Sequence, residues 1–231
     1  MKRFYKEVAV SAGADGAEIM LDGRPVRTPG RVPLRLPTAA LAEAVADEWR
    51  GQGETIDPRT MPLTGLGNAA IDRVAPDPTA FAAGLALYGE SDLLCYRAEG
   101  PESLVRRQAD LWDPLLAWAR RRYDVDFVVT SGVIHRPQPA ETLRRLGQAV
   151  GARAPFALAA LSPLVTIAGS LVIALALAER AISLDAAWAA ATLDEAWQAE
   201  QWGEDAEAAM ALANRRSEYE AADRMLGLLS N

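Results

Sequence analysis

Between Arg153 and Glu179 the chain carries no charged residue. A stretch this apolar either crosses a bilayer or becomes the buried hub of a globular fold. Ser162-Pro163 reads as an N-cap followed by proline at the first helical position, which starts a helix there and ends it near Arg180. About 17 residues at roughly 1.5 Å each span some 25 Å, short of the roughly 30 Å hydrocarbon core. Thr166, Gly169 and Ser170 lower its hydrophobicity further. The expectation is a buried central helix without stable membrane insertion. A membrane-associated factor acting through Phe156 to Ala178 is the weaker reading.

A hub needs elements to cover it, and 231 residues, half of them hydrophobic, supply one large domain or two small ones. The first third reads as short strands. Tyr5 to Val10 and Ala17 to Leu21 alternate in the manner of strands, and Asp22-Gly23 supplies the two residues of a tight hairpin returning through Val26 to Thr28. Val32 to Leu36 suggests another strand. Pro37-Thr38 then starts a helix with Leu41, Val45 and Trp49 on one face, ended by Gly51. From about Pro76 the pattern is helical: Thr79 to Tyr88, Pro101 to Trp112, Pro114 to Tyr123, Pro139 to Val150, Pro163 to Arg180, Leu184 to Trp202 and Asp205 to Leu229. Short extended pieces are expected at Leu93 to Arg97 and Phe127 to Thr130. The fold class is therefore α+β, with a β-rich domain over residues 1–75 and a helical domain over 76–231.

The balance of 31 acids against 24 bases gives a formal charge of -7, so the chain as a whole repels phosphate backbones and nucleic acid is not an expected partner. The arginine runs at 106–107, 120–122, 144–145 and 215–216 make a nucleic-acid footprint only if they share a face, and are read as solvated faces pairing with neighbouring acids. One cysteine, Cys95, excludes an internal disulfide, and a single histidine, His135, leaves too few ligands for structural zinc. The first ten residues hold no apolar core of signal-peptide length, so a reducing compartment is expected.

Catalytic motifs are sparse. Gly65-Leu66-Gly67-Asn68-Ala69-Ala70 fits the glycine pattern of a dinucleotide-binding turn, but no buried strand precedes it; a small-ligand or dinucleotide enzyme using the Gly65–Ala70 loop is kept as the alternative, against a tight loop leading into a helix through Ile71 and Val74. His135 lacks a serine or cysteine partner motif, and Cys95 lies in an apolar stretch that reads as core. More informative are the tryptophans. Trp112, Trp118, Trp188 and Trp197 fall in amphipathic helices where core packing is the default, whereas Trp49 and Trp202 stand at helix ends beside glycine, as interface anchors can. Glu195, Glu200, Glu204, Asp205 and Glu207 flank Trp197 and Trp202, forming either a solvated acidic face or a surface that docks a basic partner.

The segments RFYKEV, LDGRPVRTP, ADEWRGQGETIDPRTMPLTGLGNAAID, DLLCYR and EAWQAEQWGE, with the spaced series Pro101, Leu104, Gln108, Trp112, Asp113, Pro114, Trp118 and Tyr123, closely resemble one family, the assembly chaperone for the alpha subunit of the F-type ATP synthase catalytic head. The likeness runs from Arg3 to Glu204. It implies a chaperone with no catalysis and no cofactor or metal, which holds a newly made alpha subunit until the beta subunit replaces it, and it implies the same two-part architecture. Carried over residue by residue, Glu195 occupies the family's acidic position before Trp-Gly, Trp49 its Glu-Trp at the end of the first helix, and Asp92 and Arg97 the pair bracketing Cys-Tyr; with Trp197 and Trp202 these are the expected partner-binding residues. Bacterial members act in the cytoplasm and eukaryotic relatives in the mitochondrial matrix after import. The mitochondrial form carries an import presequence that this chain lacks, so the chain is expected to be either bacterial or a mature form, and the alanine- and arginine-rich composition favours bacterial.

Overall fold

The computed structural model describes all residues except Asp15, Val133, Glu204 and Asn231. The chain divides into two compact units, each discontinuous in sequence: Met1–Pro78 with Ala154–Ala160 and Ala221–Asn231, and Thr79–Arg153 with Leu161–Glu220.

In the first unit, β1 (Val8–Gly13) pairs antiparallel with β2 (Gly16–Leu21), whose other edge takes β3 (Arg24–Pro25) at one end and β4 (Arg35–Leu36) at the other. Asp22 and Gly23, at φ of 46° and 75°, form the expected two-residue turn, a conformation with both φ positive that matches the twist of the strands it joins. The Asp22 carboxylate accepts the backbone N–H groups of Lys6 and Glu7, which hold its carboxyl below the usual range. The later strands are shorter than their sequence suggests. Pro25 and Pro33 donate nothing to a ladder, so β3 stops at the first and only an isolated bridge joins Arg27 to Pro33. Ala17, Ile19 and Leu21 of β2 are buried on one face, under α1 (Ala39–Arg50) with its buried Leu41, Ala42 and Val45. Thr38 caps α1, its hydroxyl accepting from the Leu41 N–H at 3.2 Å and donating to the Leu228 carbonyl at 2.8 Å.

The Gly65–Ala70 segment overturns the loop expected of it. It lies within α2 (Pro62–Ala69), which continues as a π-helical turn over Ala70–Val74, so no glycine turn opens toward a pyrophosphate. Met61 offers α2 no side-chain cap; Glu48 of α1 does so instead, its carboxylate taking the N–H groups of Leu63 and Thr64 at 2.7 and 2.8 Å. Gly67 serves close packing, since a Cβ there would sit 3.3 Å from the methyl groups of Leu34 and Leu36.

The second unit is helical: α3 (Pro78–Ala86), α4 (Glu102–Tyr123), α5 (Ala140–Gly151), α6 (Pro155–Ala168, whose first residues belong to the first unit), α7 (Leu171–Ala178), α8 (Leu184–Ala191), α9 (Leu193–Trp202) and α10 (Ala206–Leu229, which ends in the first unit). Two residues each of β5 (Tyr96–Arg97) and β6 (Thr130–Ser131) pair in parallel. Of the extended pieces expected at Leu93 to Arg97 and Phe127 to Thr130, only Tyr96, Arg97 and Thr130 are in strand, Leu93–Cys95 forming a 3-10 turn, and three helix breaks differ from expectation. Pro114 lies inside α4, because Asp113 bonds to Arg97 and caps nothing. Pro163 lies inside α6, which starts at Pro155; the apolar run breaks instead at Gly169 (φ 61°) and restarts at Ser170, whose hydroxyl accepts from the Ile173 N–H. The expected helix from Leu184 to Trp202 splits at Thr192, whose hydroxyl donates back to the Trp188 carbonyl at 2.8 Å. The charge-free run is nonetheless a hub: Leu171 through Leu177 are all fully buried. Among the described residues no helix is long and apolar enough to cross a membrane.

Candidate docking site

Helix α9 stops where Gly203 adopts φ of 89°, and Asp205 caps α10 by accepting the Ala208 N–H at 2.9 Å. The two helices thus flank a groove of about 530 Å³, with Glu195, Ala199 and Trp202 on one wall and Ala208, Leu212 and Arg215 on the other. Alanines leave the space and the aromatic residue marks its end. Trp202 is 78% exposed, an unusual place for so large an apolar surface. Glu195 is exposed and takes two hydrogen bonds from the Arg215 guanidinium, at 3.0 and 2.5 Å. That pair gives the groove a polar rim without burying a charge. Of the acidic stretch, Glu204 lies outside the described residues.

The other expected contact residues go elsewhere. Trp197 is half-buried and turned to α4, where the Arg107 guanidinium lies 5.0 Å from its ring centroid and also bonds to Glu200, holding that carboxyl below its ordinary range. Trp49 belongs to the first unit, where it is half-buried, packs edge-on against Tyr5 at 5.7 Å, accepts the Tyr5 hydroxyl on its carbonyl and borders a groove of about 690 Å³ beside the exposed Phe4.

Asp92 and Arg97 are internal, which corrects their expected place on a contact surface. Asp92 is fully buried: Oδ1 accepts from the Leu94 N–H (3.1 Å) and the Ser170 hydroxyl (2.7 Å), and Oδ2 from the Val172 N–H (2.9 Å). It therefore caps a 3-10 turn and the first turn of α7 together. Burial away from water pushes its carboxyl up to about 6, outweighing the donors that favour the ionised form, those three and the Leu171 N–H. Arg97 keeps only a tenth of its side chain exposed, donating to the Leu94 carbonyl and to Asp113 while stacking over Trp112. Trp112 is fully buried, its indole N–H on the Ala190 carbonyl at 2.9 Å.

Burial pushes the Cys95 thiol up to about 12, so it stays protonated. His135 is exposed, with the Tyr96 hydroxyl 2.9 Å from Nδ1 and Glu90 3.3 Å from Nε2. Among the described residues no three His, Cys, Asp or Glu side chains come together in a way that could hold a metal ion. What the sequence reading missed is Arg215 and the small-residue wall of α10. The signal was present, since Ala208, Ala211, Leu212 and Arg215 fall at i, i+3, i+4 and i+7 and share one helix face.

Comparison with known proteins identifies the family. A family model described as the ATP12 chaperone protein matches residues 2–120. The crystal structure of Atp12 from Paracoccus denitrificans superposes with a TM-score of 0.94 at 45% identity, covering 99% of this chain and 98% of that one. An aspartate-to-lysine variant of the same protein gives the same TM-score and identity over 97% of its length. The Atu1473 protein from Agrobacterium tumefaciens is again similar at 0.94 and 45%, over 99% of this chain and 86% of that one. The chain therefore belongs to the ATP12 chaperone family.

Proposed function

We propose that this chain is an assembly chaperone that binds the unassembled alpha subunit of the F-type ATP synthase, shields it from aggregation without using nucleotide, and yields it to the beta subunit, in the cytoplasm of a bacterium. The observation that carries the reading is Trp202, left exposed at the end of the α9–α10 groove beside the Glu195–Arg215 pair. An unassembled subunit exposes apolar surface that its neighbours normally cover, and such surface aggregates. A holding partner needs an aromatic anchor to cover it and a charged rim to keep the complex exchangeable. The groove supplies both on one helix pair. In the mitochondrial matrix, eukaryotic relatives perform the same step.

Size-exclusion chromatography with light scattering tests this on the chain mixed with freshly refolded alpha subunit, with and without beta. A one-to-one complex that dissolves on addition of beta is the expected result. Aggregation of alpha at the same rate with and without the chain would overturn it.

A further inference from the structure

Helix α5 separates two recesses of opposite character. On one side Leu143, Gly147 and Gly151 face Ala83, Ala86 and Leu87 across an apolar groove of about 620 Å³, in which Leu87 is 71% exposed. On the other side lies a cleft of about 710 Å³ whose described lining holds four arginines, Arg122, Arg144, Arg145 and Arg153, and one carboxylate, Glu179. Arg144 and Gln148 line both recesses, so the two adjoin at these side chains. Arg122 from one of the arginine runs and the Arg144-Arg145 pair from another are thus brought together with Arg153, in a chain whose net charge is -7.

The cleft already shows how it treats a carboxylate. Glu179 accepts from Arg122 Nε at 2.6 Å and the Tyr123 hydroxyl at 2.7 Å, with Arg153 at 3.6 Å. Arg153 Nε makes no hydrogen bond to the described residues, and the remaining guanidinium donors exceed what Glu179 and the rim carboxylates Glu141 and Asp124 take up. Guanidinium forks suit carboxylates, and a discrete cleft holding an acid of its own is poorly matched to a continuous phosphate track.

We infer that α5 docks an acidic amphipathic segment of the chaperone's client, its apolar side chains in the Leu143–Gly147 groove and its carboxylates on Arg144 and the arginines behind it. This surface is distinct from the α9–α10 groove. The alpha-subunit reading stands or falls on its own chromatography, whereas the present inference is decided with a peptide.

The probe is a short fluorescein-labelled peptide with leucine at helical spacing and glutamate elsewhere, followed by fluorescence anisotropy against the full-length chain. Binding is expected, weakened by added salt and absent for the same peptide with lysine in place of glutamate. Arg144→Glu should weaken it about tenfold or more, the loss of one charge-assisted contact, and Gly147→Leu should block the groove. Arg144 bonds only to the exposed Glu141 among the described contacts, so its replacement is expected to leave the melting temperature in place. Should Gly147→Leu fail to fold, amide shift changes at Ala83, Leu143 and Gln148 on titrating the wild type decide the same point. Equal binding of the lysine peptide would overturn the inference, as would no binding at all. A single-stranded DNA oligonucleotide captured by wild type and lost in Arg144→Glu would overturn it in favour of nucleic acid. Self-association abolished by the same substitution would overturn it in favour of a second copy.

Discussion

At the scale of single residues, exposure and pairing separate side chains that share a motif. Trp197 and Trp202 stand five residues apart in one acidic stretch, yet the first is stacked under Arg107 and the second projects from the helix end. Trp202→Ala is therefore expected to leave the melting temperature unchanged while weakening capture of the alpha subunit by about 2–4 kcal/mol, the scale of an aromatic hot spot. A binding titration beside a thermal melt checks both halves, and unchanged affinity would remove Trp202 from the interface. Glu195→Lys places a cation against Arg215 at an exposed site, where stability changes of about 0.5 kcal/mol or less are usual. Client binding should fall because the rim turns from a neutral ion pair into two cations; a folded variant that binds alpha as well as wild type refutes the role given to Glu195.

At the scale of elements, Asp92 is the joint on which α7 depends. Asp92→Ala strands the N–H groups of Leu94 and Val172 and the Ser170 hydroxyl in the core, and is expected to cost about 2–4 kcal/mol. The pH dependence has a definite sign. With a folded pKa near 6 against an ordinary value of 3.8, the folded state holds more protons between these two values, so the stability tied to protonation is present at low pH and lost as pH rises through about 6. Urea midpoints of wild type and variant should differ more at pH 5 than at pH 7.5; a smaller gap at pH 5 would mean that the hydrogen-bond donors outweigh burial. Much of the element layout was legible in the sequence. The Asp22-Gly23 hairpin and the helix start at Leu184, where the Ser183 hydroxyl accepts the Ala186 N–H at 3.2 Å, depend on neighbours in the chain alone. The helix break expected between Trp112 and Pro114 and the Ser162-Pro163 cap misled for the opposite reason. A serine or aspartate caps only when nothing better claims it, and Arg97 claims Asp113 from 16 residues away. Likewise Asp92 reaches Ser170 across 78 residues, a pairing no local pattern announces, while the Gly169-Ser170 break was present in the sequence and overlooked. For the docking site, the residues Glu195 and Trp202 were legible and their grouping with Arg215 was not, since it arises only when α10 folds back past Gly203.

At the scale of the whole molecule, the discontinuity of the units matters most. The last eleven residues belong with the N-terminal sheet and α1, although more than 140 residues intervene after Pro78. Ala222 and Met225 are fully buried there, Leu226 nearly so, and the Leu228 carbonyl accepts the hydroxyl of the residue that caps α1. Burial of one large apolar side chain is worth about 1.5–3 kcal/mol, so losing Met225 and Leu226 together costs a large part of a domain's net stability of about 5–15 kcal/mol. A chain ending at Glu220 is accordingly expected to lose amide protection in β1, β2 and α1, while α7 and the fully buried part of α4 around Trp112 and Leu116, whose partners lie in the other unit, keep theirs. Hydrogen exchange followed by mass spectrometry resolves the two sets. Unchanged protection of α1 in the shortened chain would show that the N-terminal unit is complete without its C-terminal segment, and uniform loss across α4 and α7 would show that the two units unfold as one.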